Sequence, residues 1–231
     1  MYVPRHFALT DRAAIEAFVD AAGSADLVTF NGQRPVSTLL PVIWDRPGAA
    51  GGDADADRSY GRLLGHVALA NDQWQTAAPG AEALAIVHGP QAYISPAWYE
   101  SKARHGRVVP TWNYEVVHLT GTIMFHRDAE WLRGLVTRLT QRHERGREHP
   151  WAVTDAPPEY IDGQLRAIVG VELAITSIGA KQKLSQNRSA ADREGVVAGL
   201  REQAGTGPAA VAAVMAGQLA AGRAGAGSQD E

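Results

Sequence analysis

The sequence predicts a mainly β fold of the α+β class, an antiparallel barrel with helices around it. Three observations predict it. Six segments have the β-branched, aromatic or alternating character of strands, at residues 25–30, 35–44, 62–69, 83–88, 111–125 and 168–178. The first two flank Asn31-Gly32, the strongest short hairpin signal. The helical segments do not alternate one-for-one with these strands, which argues against a doubly wound parallel sheet.

The helices follow from their own signals. Thr10 is a good N-cap for a helix over 11–22, with Ile15, Phe18 and Val19 on one face. Residues 71–77 read as a short helix with Trp74 turned inward. A longer helix over 128–145 places Trp131, Leu135 and Leu139 at i, i+4 and i+8. Another covers 158–167. Ser189 opens a last helix, with Asp192 three residues on as its capping partner.

Two stretches carry too little apolar bulk to pack. Residues 46–58 hold Gly, Ala and three Asp and read as a solvated loop between strands. From about Gln203 the chain is mostly Ala and Gly, which reads as a disordered tail, with Val211, Val214, Met215 and Leu219 offering at most one or two weak helical turns. The expected organisation is therefore one domain over 1–202 and a tail over 203–231.

Composition removes several function classes. The chain has 231 residues, enough for a sizeable core. With 22 Lys+Arg against 25 Asp+Glu the net charge is −3, which argues against a general polyanion binder. The absence of cysteine excludes disulfides, cysteine-ligated zinc, iron–sulfur clusters and a thiol nucleophile. It fits a reducing cytoplasm, the expected location. No apolar run approaches the roughly 18 residues of a membrane span, and residues 1–9 lack a signal-peptide layout. There is no GxGxxG, P-loop or GxSxG elbow, and His143 and His149 are six apart, not the four that a zincin needs. Arg138, Arg142 and Arg145 form a basic stripe that a solvated helix face explains.

Three polar-aromatic clusters remain. His66 lies in an apolar strand before Asn71. It is either a satisfied core histidine or a contact to a cofactor, including axial ligation of a haem iron. The segment from Tyr93 to Tyr114 brings together hydroxyls, Lys102, His105, Trp98, Trp112, Asn113 and Tyr114. Cationic and hydroxyl donors suit a phosphate and flat side chains suit a planar ring, although a packed aromatic corner has the same composition. Lys181-Gln182-Lys183-Leu184-Ser185-Gln186-Asn187-Arg188 follows the last strand. It reads as an anion-binding segment or as a solvated strand end.

Longer motifs give the chain a family likeness. Met1-Tyr2-Val3-Pro4-Arg5-His6-Phe7, Gly65-His66-Val67-Ala68 and Asn71-Asp72-Gln73-Trp74 resemble segments of the PaiB family, the FMN-binding negative transcriptional regulators. So do the block from Gly89 through Tyr99 and Lys102 to Tyr114, the pair His143-Glu144, Pro150-Trp151-Ala152-Val153 and Lys183 to Arg188. The likeness runs over roughly residues 1–200. It implies an FMN-binding split β-barrel, a homodimer with cofactor sites at the subunit interface, and a role as transcriptional regulator or flavin and redox sensor. On the matching motifs, Lys102, Trp112, Asn113, Tyr114, Lys183, Ser185, Gln186, Asn187 and Arg188 are the implied flavin-site residues. One departure is Ser37-Thr38-Leu39-Leu40-Pro41, where many members carry a histidine. DNA is a partner by the family name alone, and no helix-turn-helix stands out. The related piperazate synthases imply an alternative, a haem b enzyme forming nitrogen–nitrogen bonds with His66 as axial ligand. A flavin-dependent oxidoreductase of a small molecule is the other alternative.

Overall fold

Strict alternation of buried and exposed positions marks the first strand, β1 (Ser24–Phe30), with Ala25, Leu27 and Thr29 turned inward. Its hairpin partner β2 (Pro35–Asp45) pairs antiparallel from Ser24↔Pro41 to Phe30↔Pro35. The connection is a four-residue loop rather than a two-residue turn. Asn31 Oδ1 accepts from the N–H groups of Gln33 and Arg34, and Gly32 takes a φ of +86° that favours glycine. β3 (Arg62–Ala68), β4 (Glu82–Ile94), β5 (Thr111–His126) and β6 (Ile168–Lys183) complete a closed barrel in the order β1-β2-β3-β6-β5-β4. The computed structural model describes residues 1–47 and 60–227. The acidic segment expected over 46–58 lies outside the described residues from position 48 onward.

The chain forms two compact units. The barrel unit comprises Arg12–Val87 and Val117–Gly179. In it, Leu40, Val42, Leu63, Val171 and Leu173 fill the barrel interior, leaving a cavity of only about 10 Å³. The apolar stripe of α4 (Ala129–Glu144) covers the outer face. Leu135 and Leu139 pack on Ile43 and Leu64, while Leu132 meets Ile161 and Leu165 of α5 (Pro158–Arg166). Asp128 caps α4 by accepting from the Trp131 N–H at 2.8 Å. α1 (Arg12–Ala22) buries Ile15 and Val19 and ends at Gly23, whose φ is +66°. In the short helix α2 (Gln73–Thr76) the buried side chain is Gln73, not Trp74. Its amide bonds Leu27 O and Thr29 Oγ1, so hydrogen bonding rather than apolarity decides which residue turns in.

The terminal unit comprises Met1–Asp11, His88–Val116 and the chain from Ala180 onward. It holds the short α3 (Ser101–His105) and the paired helices α6 (Ala190–Arg201) and α7 (Thr206–Gly227). Here the structure corrects the sequence reading. Residues 206–227, expected as disordered tail, form a helix that buries Val211, Ala212 and Met215 against Ile94, Leu184, Val196 and Leu200. Alanine favours helix wherever one face finds a partner. The 1–202 domain boundary therefore cuts through a shared core. Ser189 does cap α6 through the Asp192 N–H, but the Asp192 carboxylate turns to the N–H and hydroxyl of Ser101 at 2.8 and 2.9 Å. Glycines let α6 come close: a Cβ at Gly195 or Gly199 would overlap Trp98.

Met215 is fully buried in this core. Met215→Ala should lower stability by about 2–5 kcal/mol, read as a reduced urea midpoint. A neutral effect would mean that the helix does not pack in solution.

Candidate functional site

Strand periodicity sorts the second and third clusters onto two faces. Along β5, Asn113 and Glu115 are buried while Trp112 and Tyr114 alternate to the other side. Along the end of β6 and the residue after it, Gln182 and Leu184 alternate with Lys181 and Lys183. β6 runs five residues further than expected, so both lysines sit on the strand rather than beyond it. β4 likewise extends to Ile94 and carries Tyr93 on a strand.

The buried face is a hydrogen-bonded core. Asn113 Nδ2 donates to Ser185 Oγ at 3.1 Å and to Met215 Sδ at 3.3 Å, and Ser185 Oγ donates to Asn113 Oδ1 at 3.1 Å. Ser185 has a φ of +62°, the one non-glycine residue in the left-handed region among those described. Gln182 donates to Glu115 Oε1 and accepts from Gln218 at 3.4 Å, and Gln218 accepts from Arg193 at 3.5 Å. Gln186 closes the turn upon itself, donating to Gln182 O at 2.7 Å and accepting from the Leu184 N–H at 2.8 Å. Asn113, Ser185 and Gln186 thus position the turn after β6 rather than present their polar atoms outward.

The other face is cationic and aromatic. Lys183 Nζ donates to Thr111 Oγ1 at 2.6 Å and to Trp112 O, and lies 5.9 Å from the Phe7 ring. Lys181 Nζ is 5.3 Å from the Tyr114 ring and 5.9 Å from that of Tyr2. Arg188 stacks over Tyr99 at 5.0 Å. Trp112 is 52% exposed and meets Tyr93, 45% exposed, edge to face. Lys102 on α3 and Asn187 are exposed in the same unit, and neither side chain has a polar partner among the described residues.

Charge on this unit is poised unevenly. Burial, then repulsion from Lys181 and Arg188, pulls the Lys183 ammonium below the ordinary lysine range. Burial works to raise Asp192, but hydrogen bonds from Ser101 and Ser189 and the charge of Arg188 hold it below the usual carboxylate range. Burial pushes Glu115 up, against the hydrogen bond from Gln182. The sequence reading passed over Glu115, although it is the one acid between Trp112 and Phe125 and shares the strand phase of Asn113.

His66 belongs to the barrel unit. Gly65 and Val67 are buried, and Gly65 lines the barrel cavity. His66 alternates to the outer face, opposite Gly170, against which the Trp131 ring packs. Burial lowers its pKa, and its Nδ1 is buried without a hydrogen-bond partner among the described residues. It does not line the barrel cavity, whose volume of about 10 Å³ is far below a haem. Among the described residues no cluster of three or more His, Asp or Glu could hold a metal ion, and no helix is long and apolar enough to cross a membrane.

Comparisons place this geometry among known proteins. Residues 1–177 match the family described as "Putative FMN-binding domain". The chain is 31% identical over 220 residues to the Bacillus subtilis protein named "Protease synthase and sporulation protein PAI 2", covering 95% of this chain and 98% of that one. A protein of Aspergillus fumigatus is 33% identical over 202 residues, covering 74% and 77%. Among solved structures, the FAD and heme binding protein from Mycobacterium smegmatis superposes with a TM-score of 0.53 at 19% identity, over 83% of this chain and 79% of that one. The flavocytochrome Anf3 from Azotobacter vinelandii gives 0.51 at 16%, over 78% and 72%. At these identities the structures establish the split-barrel fold alone.

Glu115 offers a direct check on the buried face. A raised acid stabilises the fold below its unfolded pKa, and that contribution is lost as pH rises through the folded pKa. Wild-type protein should lose stability relative to Glu115→Gln as pH rises from about 4 toward neutrality, and the two should converge at lower pH. A pH-independent difference in denaturation midpoint would contradict this.

Proposed function

The chain belongs to the PaiB family of FMN-binding-domain proteins, and on that premise we propose that it is a flavin-binding module holding FMN on the Lys181–Lys183–Tyr114 face. One observation carries the reading: Lys181 and Lys183 share one strand face with the Tyr114, Tyr2 and Phe7 rings around their ammonium groups. The donor set fits the group. A phosphate takes ammonium and guanidinium donors, which Lys181, Lys183 and Arg188 supply. A planar ring takes an apolar wall, which the exposed Trp112 and Tyr93 supply. When bound, FMN supplies reversible electron chemistry. The chain's own residues bind and orient it and exclude water from one side of it.

The buried face keeps this surface in place. Asn113 and Ser185 fix the turn that carries Arg188, and the Ser185 O accepts from the Arg188 N–H at 3.0 Å. A second copy of the chain would cover Trp112, Tyr93 and the 64% exposed Val109, which supports a homodimer. In that assembly the flavin's redox state would bias the dimer between two arrangements, the physical content of a sensor or regulator.

Lys183 gives the test. A protonated ammonium attracts a phosphate, so FMN affinity should fall as pH rises through the Lys183 pKa, which lies below the ordinary value of about 10.4. Lys183→Gln should weaken FMN binding about ten- to hundredfold and abolish that pH dependence, measured by quenching of flavin fluorescence. No binding to wild-type protein, or equal binding by Lys183→Gln, would overturn the proposal.

A further inference from the structure

A cleft in the barrel unit is used by none of this. It measures about 750 Å³ and lies between the end of α1, the end of β2 and the last two turns of α4. Its walls carry four guanidinium groups, Arg46, Arg138, Arg142 and Arg145, against two carboxylates, Asp20 and Asp45. Four minus two leaves a surplus of two positive charges on the walls.

The arginines are not equivalent. Arg46 donates to Asp20 and forms an ion pair at 2.9 Å with Glu16 from outside the lining, so it is the most fully neutralised. Arg138 bonds Asp45 at 2.8 Å. Arg142 donates to the carbonyls of Val42 and Asp20, capping the end of α1, and stands 3.5 Å from Asp20 Oδ1. These contacts hold the three guanidinium planes in place before any ligand arrives. Arg145 is exposed and has no polar side-chain partner among the described residues. Ala21, Ala22 and Gly23 line the cleft beside the arginines with small side chains that leave room for a ligand.

We propose that this cleft binds a small phosphate ester. A phosphate monoester carries a charge of about −1.5 to −2 at neutral pH, which matches the surplus on the walls. Planar guanidinium forks pair with phosphate oxygens through two parallel hydrogen bonds. The volume lies within the range of about 300–1,000 Å³ that small-molecule sites occupy. Arg145, which carries no carboxylate among the described residues, and Arg142, whose nearest carboxylate at 3.5 Å is shared with Arg46, are the phosphate-facing pair, and Arg138 is held ready beside them. A ligand here would bridge α1, β2 and α4, the elements that wrap one side of the barrel.

Isothermal titration of the full chain with adenosine 5′-monophosphate, with adenosine and sodium sulfate as controls, tests this. The proposal predicts saturable binding of the monophosphate, none of adenosine, and sulfate binding at least about tenfold weaker. Arg145→Gln, at an exposed and unpaired position, should weaken the monophosphate about tenfold. Lys183→Gln should leave that affinity in place. Absence of saturable binding would overturn the proposal. So would loss of binding in Lys183→Gln with retention in Arg145→Gln, which would assign the phosphate to the flavin face. Tighter, Arg145-dependent binding of a short DNA duplex would replace the small ligand with a nucleic acid.

Discussion

The hydrogen bonds between Asn113 and Ser185 are the constraint on which the candidate site depends. Ser185 occupies a left-handed backbone conformation that costs a non-glycine residue on the order of 1–3 kcal/mol. The Asn113 amide meets its hydroxyl in both directions, and Met215 of α7 closes over the pair. Released from this lock, the turn would be held only by its own Gln186 and Arg188 hydrogen bonds. Lys183 would lose its fixed approach to Thr111 and Trp112, and Arg188 its stacking on Tyr99. A helix built largely of Ala and Gly is therefore tied directly to the geometry of the cationic face.

Charge on the cationic face is unbalanced. Lys183 is held where its charge is disfavoured, by burial and by two cationic neighbours. Glu115, two residues from Asn113 on the buried side, is pushed toward its neutral form. No carboxylate bonds Lys181 or Lys183 among the described contacts, whereas Asp192 nearby is fully engaged with Ser101 and Ser189. The proposed anionic ligand would relieve that imbalance, and its binding energy would include the relief. The arginine cleft of the barrel unit differs in kind: Arg46, Arg138 and Arg142 are already paired with carboxylates, and Arg145 alone among the described lining residues is not.

Much of the fold was legible because strand alternation and the i, i+4 stripe of α4 report burial directly. The order of elements from the first helix through Ser189 follows from those patterns. Helix α7 was illegible because Ala and Gly give no amphipathic contrast; only Val211, Ala212 and Met215 mark its buried side, and packing decides the rest. In the site, residue type identified polar residues without saying which way they face. Lys183 and Trp112 turn to the cationic face, while Asn113 and Ser185, from the same two motifs, turn into the core. The difference is one step of strand phase at 112–113, visible only once the partner across β5 is known. His66 shows the same limit, since its strand phase places it under α4 rather than in the barrel.

Hydrogen–deuterium exchange of the full chain with and without FMN locates the flavin on the fold. FMN on the cationic face should add protection at residues 111–115 and 181–188 and leave residues 62–68 and 131–145 unchanged. Protection centred on residues 62–68, with none at 181–188, would contradict it.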